Sequence, residues 1–156
     1  MRGARRGAVL LGCAAAAIGI AAAPAAAPSP AAAIAARQAN FKEISGAFKS
    51  INDELKAADP DAATILPLAR TITARSQGQL RFFPAGSGPE AGVKTRAMAA
   101  IWRDKPEFTA LMADLGNSAN SLQTAAAWGD VVAIAAARTR LGESCKACHA
   151  KFRESE

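Results

Sequence analysis

From residue 34 onward, apolar side chains recur at alternating steps of three and four. Phe41, Ile44, Phe48, Ile51 and Leu55 step 3, 4, 3, 4, which sets them along one face of an α-helix. A first helix is predicted over about 34–58, stopped by Asp59-Pro60. The same pair opens a second helix, because aspartate accepts from orphan N–H groups and proline suits the first helical position. Ile65, Leu68, Ala69 and Ile72 carry that helix to about residue 80, with Pro67 expected to kink it or delay its start. Residues 84–95 hold three Gly and two Pro and read as a loop. Asp104, ahead of Pro106, opens a third helix whose stripe is Phe108, Met112, Leu115, Ala119, Leu122 and Ala126. Gly129 fits the position after its end, and Asp130 caps a fourth helix reaching about residue 154.

Four such helices, with short connections inside the first and last pairs, make an all-α, antiparallel four-helix bundle. The spacing of the seams, near 3.5 residues, suits left-handed bundle packing. Composition agrees: Ala fills 42 of 156 positions, aromatics fill 8, and there is no Tyr, against the β-branched and aromatic needs of a sheet. Seams so rich in Ala leave two options. The helices approach closely, or part of the core is filled by something other than side chains.

Residues 1–33 are of a different kind. Arg2, Arg5 and Arg6 precede an apolar run over 8–23, then a Pro/Ala/Ser patch, with no acidic residue before Glu43. That order is a secretory signal, with cleavage expected after Ala25 or Ala33, and the run is short for a membrane span of ~20 residues. Leu10-Leu11-Gly12-Cys13 resembles a lipoprotein box, but only five apolar residues precede Cys13 and the run continues past it. Arg5-Arg6 lacks the rest of a twin-arginine motif. Export by the general route, to the periplasm and without a stable membrane anchor, is the reading. The formal charge of +6 drops to +3 without those three arginines, and the remaining charges are interspersed, so nucleic-acid binding has little support.

The chemistry lies near the end of the last helix. Cys145-Lys146-Ala147-Cys148-His149 contains the only His of the chain and every Cys except Cys13. In an exported chain a CxxCH run is an attachment site for c-type haem. Cysteines three apart on a helix share a face, so each can form a thioether with a haem vinyl group, and the next His can reach the iron. Three other readings compete. Two buried structural cysteines beside a surface His are the plain one. A thioredoxin-type pair wants a βαβ setting and a helix N-terminus, where the dipole stabilises thiolate; here the motif sits in the last turns. A structural zinc site wants four ligands, and the mature chain offers three soft candidates.

Gly142 through Arg153, at the C-terminus of an exported four-helix chain, resembles cytochrome c′. Arg37-Gln38-Ala39-Asn40-Phe41, Phe83-Pro84, the Gly-rich loop, Thr95-Arg96, Ala100-Ile101-Trp102 with Phe108, and Ala127-Trp128-Gly129-Asp130 extend the likeness over about residues 36–154. Phe152 stands where the family often has Tyr. The resemblance implies one haem c held by Cys145 and Cys148, with His149 as the proximal iron ligand and Phe41 at the distal position. Low-spin members of the wider class carry a Met there; phenylalanine has no lone pair to donate, so a five-coordinate, high-spin iron is implied. Met98 and Met112 read as packing residues, and the lack of a second His rules out bis-histidine ligation within one chain. Arg37 and Gln38, with Thr95 as a weaker candidate, are expected at the haem propionates. Arg153 is placed to meet a proximal ligand or simply to favour the helix dipole. Trp102 and Phe108 read as core.

The resulting expectation is a periplasmic cytochrome, not an enzyme, that binds nitric oxide, carbon monoxide more weakly, and exchanges single electrons with an unknown redox partner. A homodimer through the first two helices is implied by the family alone. The alternatives are an electron carrier with six-coordinate, low-spin haem, and a haem-free thiol redox protein.

Overall fold

The structure, a computed structural model, describes residues 28–155. The expected signal up to residue 27, including Cys13 and the Ala25 cleavage site, lies outside the described residues. Five helices follow: α1 (Pro30–Glu54), α2 (Ala62–Ser76), the single turn α3 (Ala100–Arg103), α4 (Lys105–Trp128) and α5 (Val131–Phe152). The four long ones form the bundle.

Several boundaries differ from the sequence expectation, each for a local reason. α1 starts at Pro30 rather than residue 34, because Ser29 Oγ accepts from the Ala32 N–H at 3.2 Å and Pro30 takes the first position. Ala33 and Ile34 are already buried. Cleavage after Ala33 would remove this cap and first turn, whereas cleavage after Ala25 would leave them. α1 ends at Glu54, not 58, and Glu54 Oε1 accepts from the Asp61 N–H at 2.9 Å, tying it to the next helix. Asp61, not Asp59, caps α2: its carboxylate accepts from the Ala63 N–H at 2.8 Å and the Thr64 hydroxyl at 3.1 Å. α2 runs through Pro67, losing the one bond its ring nitrogen cannot donate. It stops at Ser76, well short of 80, where Gly78 at φ +61° turns the chain into a 3₁₀ turn, Gln79–Phe82. Asp104 precedes α4 but its side chain makes no capping bond; α3 ends against it instead. The last cap is as expected: Asp130 Oδ1 accepts from the Ala133 N–H at 3.0 Å, after Gly129 at φ +76°.

α1 packs on α2, α2 on α4, and α4 on α5. Asn52 with Arg138 and Glu107 with Lys151 fix the directions, so the α1–α2 and α4–α5 turns lie at one end of the bundle. Ile51, Ile65, Ala69, Ile72, Ala119, Leu122, Ile134 and Leu141 are fully buried at the centre. All six stripe positions predicted on α4 are buried. α1 is different: its buried seam is Ile34, Arg37, Asn40, Ile44, Ala47 and Ile51. Two of these are polar, so hydrophobicity did not mark them. Phe41 and Phe48, predicted in the core stripe, are only half-buried. They face the side of the bundle between α1 and α5, where a cavity opens.

Candidate haem site

The cavity holds about 800 Å³, within the ~300–1,000 Å³ of small-molecule and cofactor pockets. α1 contributes Phe41, Ile44 and Phe48, while Ile101, Phe108, Met112 and Leu115 form the inner wall. From α5 come Leu141, Cys145, Cys148, His149 and Phe152. The α5 seam explains the placement. Ile134, Ala137, Leu141 and Phe152 are buried, and Cys145 and Cys148 continue the same 3,4 spacing between the last two. The cysteines therefore occupy core positions whose neighbouring space is the cavity.

The end of α5 is held in place by a short antiparallel contact. Met98 N–H donates to Phe152 O at 3.0 Å, and Glu154 N–H donates to Arg96 O at 2.9 Å. This fixes the turn carrying His149. The imidazole sits at the rim, partly desolvated, with Arg153 Nη1 at 3.3 Å from Nδ1 and 3.5 Å from Nε2. Burial, then the charges of Arg153 and Arg96, draws its pKa below the ordinary imidazole value. The neutral ring keeps the lone pair that a metal ligand needs. Arg153 thus lies beside His149, as the sequence predicted.

Burial raises the Cys145 thiol, and burial with the Cys145 charge pushes Cys148 up to about 11. This is the reverse of the thiolate-stabilising setting of a redox dithiol. Among the described residues no cluster of three or more His, Cys, Asp or Glu is arranged for a metal ion.

Arg37 is 4% exposed. Its Nη2 donates to Thr95 Oγ1 at 2.8 Å and Ser87 O at 2.9 Å, and Nη1 to Phe82 O and Ser87 Oγ at 3.4 Å. The guanidinium also lies 4.9 Å from the Phe83 ring and 6.0 Å from Trp102. Gln38 donates to Lys94 O at 2.9 Å, and Trp102 Nε1 donates to Pro84 O at 3.0 Å. These residues hold the Gly-rich connection against α1, a role the sequence did not suggest. The terminal nitrogens of Arg37 make four bonds into that connection.

Met112 is buried on the inner wall, whereas Met98 is half-buried in a cleft on the His149 side, away from Phe41. Phe48 and Arg138 also line the cavity and were missed as site residues; the seven-residue step from Phe41 to Phe48 was the available signal. Arg138 stacks over Phe48 at 5.2 Å and donates to Asn52. The donor set fits a c-type haem. Two thiols on one helical face open onto an apolar cavity of suitable size, an imidazole follows them, and basic side chains among the lining would suit the carboxylates of a haem.

The family model described as Cytochrome C′ matches residues 32–153. Cytochrome c′ of Pararhodospirillum photometricum is 34% identical over 116 residues, covering 69% of this chain and 90% of that protein. A solved cytochrome c′ with ligand-controlled dimer dissociation superposes with a TM-score of 0.78 at 26% identity, over 83% of this chain and all of that one. A nitric oxide complex of a mutant cytochrome c prime from Alcaligenes xylosoxidans superposes with a TM-score of 0.74 at 26% identity, over 82% of this chain and 98% of that one. With the bundle, the placement of CxxCH and the family match in agreement, the chain belongs to the cytochrome c′ family of electron-transport proteins and carries covalently bound haem c.

Proposed function

We propose that this chain is a high-spin, periplasmic cytochrome whose haem keeps one face open to nitric oxide and which exchanges single electrons, acting as a binder and carrier rather than an enzyme. When bound, haem c supplies the redox couple and the ligand-binding iron. Cys145 and Cys148 would hold it covalently, and His149 would supply the side-chain ligand from α5. Phe41 carries the proposal. It lines the cavity from α1, the wall across from α5, and α1 brings neither a thioether nor an imidazole to that wall. An aromatic ring there gives no lone pair to the iron and no hydrogen bond to bound oxygen. It leaves nitric oxide as the favoured ligand, and its bulk disfavours carbon monoxide. The nitric oxide complex of a similar protein supports the same reading.

The optical spectrum of the purified ferrous protein, before and after nitric oxide, is the test. A broad high-spin visible band that shifts on addition is expected. Sharp, split low-spin bands unmoved by nitric oxide would instead favour the six-coordinate electron carrier. Met112, which lines the same cavity, is the residue that reading would need.

Export is supported by the N-terminal pattern, and no helix of the described residues is long and apolar enough to cross a membrane. A homodimer is supported by the dimer of a structural relative. Sedimentation with and without nitric oxide tests both the dimer and any linkage to ligand.

A further inference from the structure

The first turn of α1 belongs to the bundle, and this bears on where the exported chain is cut. Beyond the apolar run over 8–23, small residues stand first and third before the bonds that follow Ala25, Ala31, Ala33 and Ala35, the A-x-A-like pattern of a signal cleavage site. The bonds after Ala23, Ala27 and Ser29 fit the pattern too, but each is made to a proline nitrogen. Such a bond is a tertiary amide with no N–H, and peptidases of this kind resist it.

The structure separates the cuts that remain, because those after Ala31, Ala33 and Ala35 lie inside α1 (Pro30–Glu54). A cut after Ala31 removes Ser29, whose Oγ accepts from the Ala32 N–H at 3.2 Å and whose carbonyl accepts from the Ala33 N–H at 2.9 Å. It also removes Pro30, whose Cγ lies 4.0 Å from where a Cβ on Gly86 would stand, against the Gly-rich connection. A cut after Ala33 goes further. It deletes a residue only 3% exposed and leaves the new ammonium on Ile34, itself 1% exposed. That charge would be buried at the positive end of the helix dipole, and both features cost free energy. A cut after Ala35 discards Ile34 as well, the first large side chain of the α1 seam. The cut after Ala25 keeps the cap, the proline and the seam, and puts the new charge ahead of Ser29 in the chain.

The first turn also reaches the haem site. Pro30 and Arg37 stand on one helix and meet one stretch of the connection, Pro30 at Gly86 and Arg37 at Ser87. Phe83 and Thr95, on either side of that stretch, line the cavity.

We propose that maturation hydrolyses the Ala25–Ala26 bond, and that residues 28–34 brace the haem-binding fold rather than forming the tail of the signal. The proposal rests on the export reading. Water adds across the amide under a signal peptidase: Ala25 departs with the leader as a carboxylate, and Ala26 takes the proton as a free amine.

Intact mass and N-terminal sequencing of the holoprotein, expressed with its own leader and taken from a periplasmic extract, decide the cut. A chain starting at Ala26 is expected. A periplasmic chain starting at Ala32, Ile34 or Ala36, or one held to the membrane by a lipid on Cys13, would overturn the proposal alone. An uncleaved chain retained in the cytoplasm would overturn the export reading with it.

The brace is tested apart from the cut. Exported behind a foreign leader, holoprotein starting at Ile34 should melt about 8 °C below one starting at Ala26, with faster amide exchange over residues 85–88. Ser29→Ala in the chain starting at Ala26 should give a smaller drop, about 4 °C, and decides the matter should the shorter chain fail to fold. Equal melting points with unchanged exchange in the connection would overturn the bracing role.

Discussion

Replacing Arg37 by alanine removes the anchor that holds the Gly-rich connection to α1. The two short bonds, at 2.8 Å to Thr95 and 2.9 Å to Ser87, come from a charged donor; each is worth about 1.5 kcal/mol at the lower end for such bonds. The two bonds at 3.4 Å add little, and the stacking on Phe83 and Trp102 contributes about 1 kcal/mol. Against this stands the cost of burying the guanidinium, whose pKa is drawn below its usual value by desolvation, with Glu90 opposing. Alanine relieves that cost but leaves carbonyls of Phe82 and Ser87 without the donor they had. The net loss should be about 3 kcal/mol, a large share of the ~5–15 kcal/mol that holds a domain folded. Lysine keeps the charge but is a single point donor and should recover less than half. Urea unfolding of the holoprotein gives the stability, and amide hydrogen exchange over residues 82–95 gives the locality. A loss below about 1 kcal/mol, with exchange in the connection unchanged, would refute the anchoring role and return Arg37 to the propionate role read from the sequence.

Phe41→Met places a thioether on the α1 wall and should convert the ferric iron from high to low spin by electron paramagnetic resonance; an unchanged signal would remove Phe41 from the distal position. Cys148→Ala and His149→Ala should each lower the melting temperature by about 10 °C, roughly 2 kcal/mol for a domain of this size, because haem fills core space between Ala-rich helices. A native-like melting point would contradict that. In haem-free chain, alkylation of Cys148 by iodoacetamide should be slow at pH 7 and climb about tenfold per pH unit toward about 11. The raised pKa means the folded state holds its proton longer than the unfolded one, so stability from this group is present below the unfolded value and is lost as pH rises toward 11; fast labelling at pH 7 would show the thiol is not buried as described. Gly129→Ala should cost about 1 kcal/mol in thermal unfolding, since φ is +76° while the added methyl would meet open space; no loss would mean the turn can relax.

The sequence by itself determined the helical class, the seam of α4 and the caps at Asp130 and Gly129, because these depend on periodicity and on bonds within four residues of one another. It also determined the chemistry, because CxxCH brings both thiols and the imidazole together on a single helix. What the periodicity could not separate was core from cofactor wall: Phe41 and Phe48 are as apolar as Ile44 and Ile51, and only the packing of α1 on α2, with the cavity between α1 and α5, assigns them to different faces. Asp59-Pro60 reads as the start of α2 in the sequence, but Asp61 caps it instead, with its own N–H bonded to Glu54 across the turn. Arg37 is the clearest case. Its partners lie 45–58 residues away, so a local reading could see a polar helix face but not a buried guanidinium, which is stable only where a distant connection supplies carbonyls and hydroxyls to receive it. The same holds for the cavity lining: Lys42 and Lys146 lie far apart along the chain, and only the antiparallel bundle brings both to the one cavity.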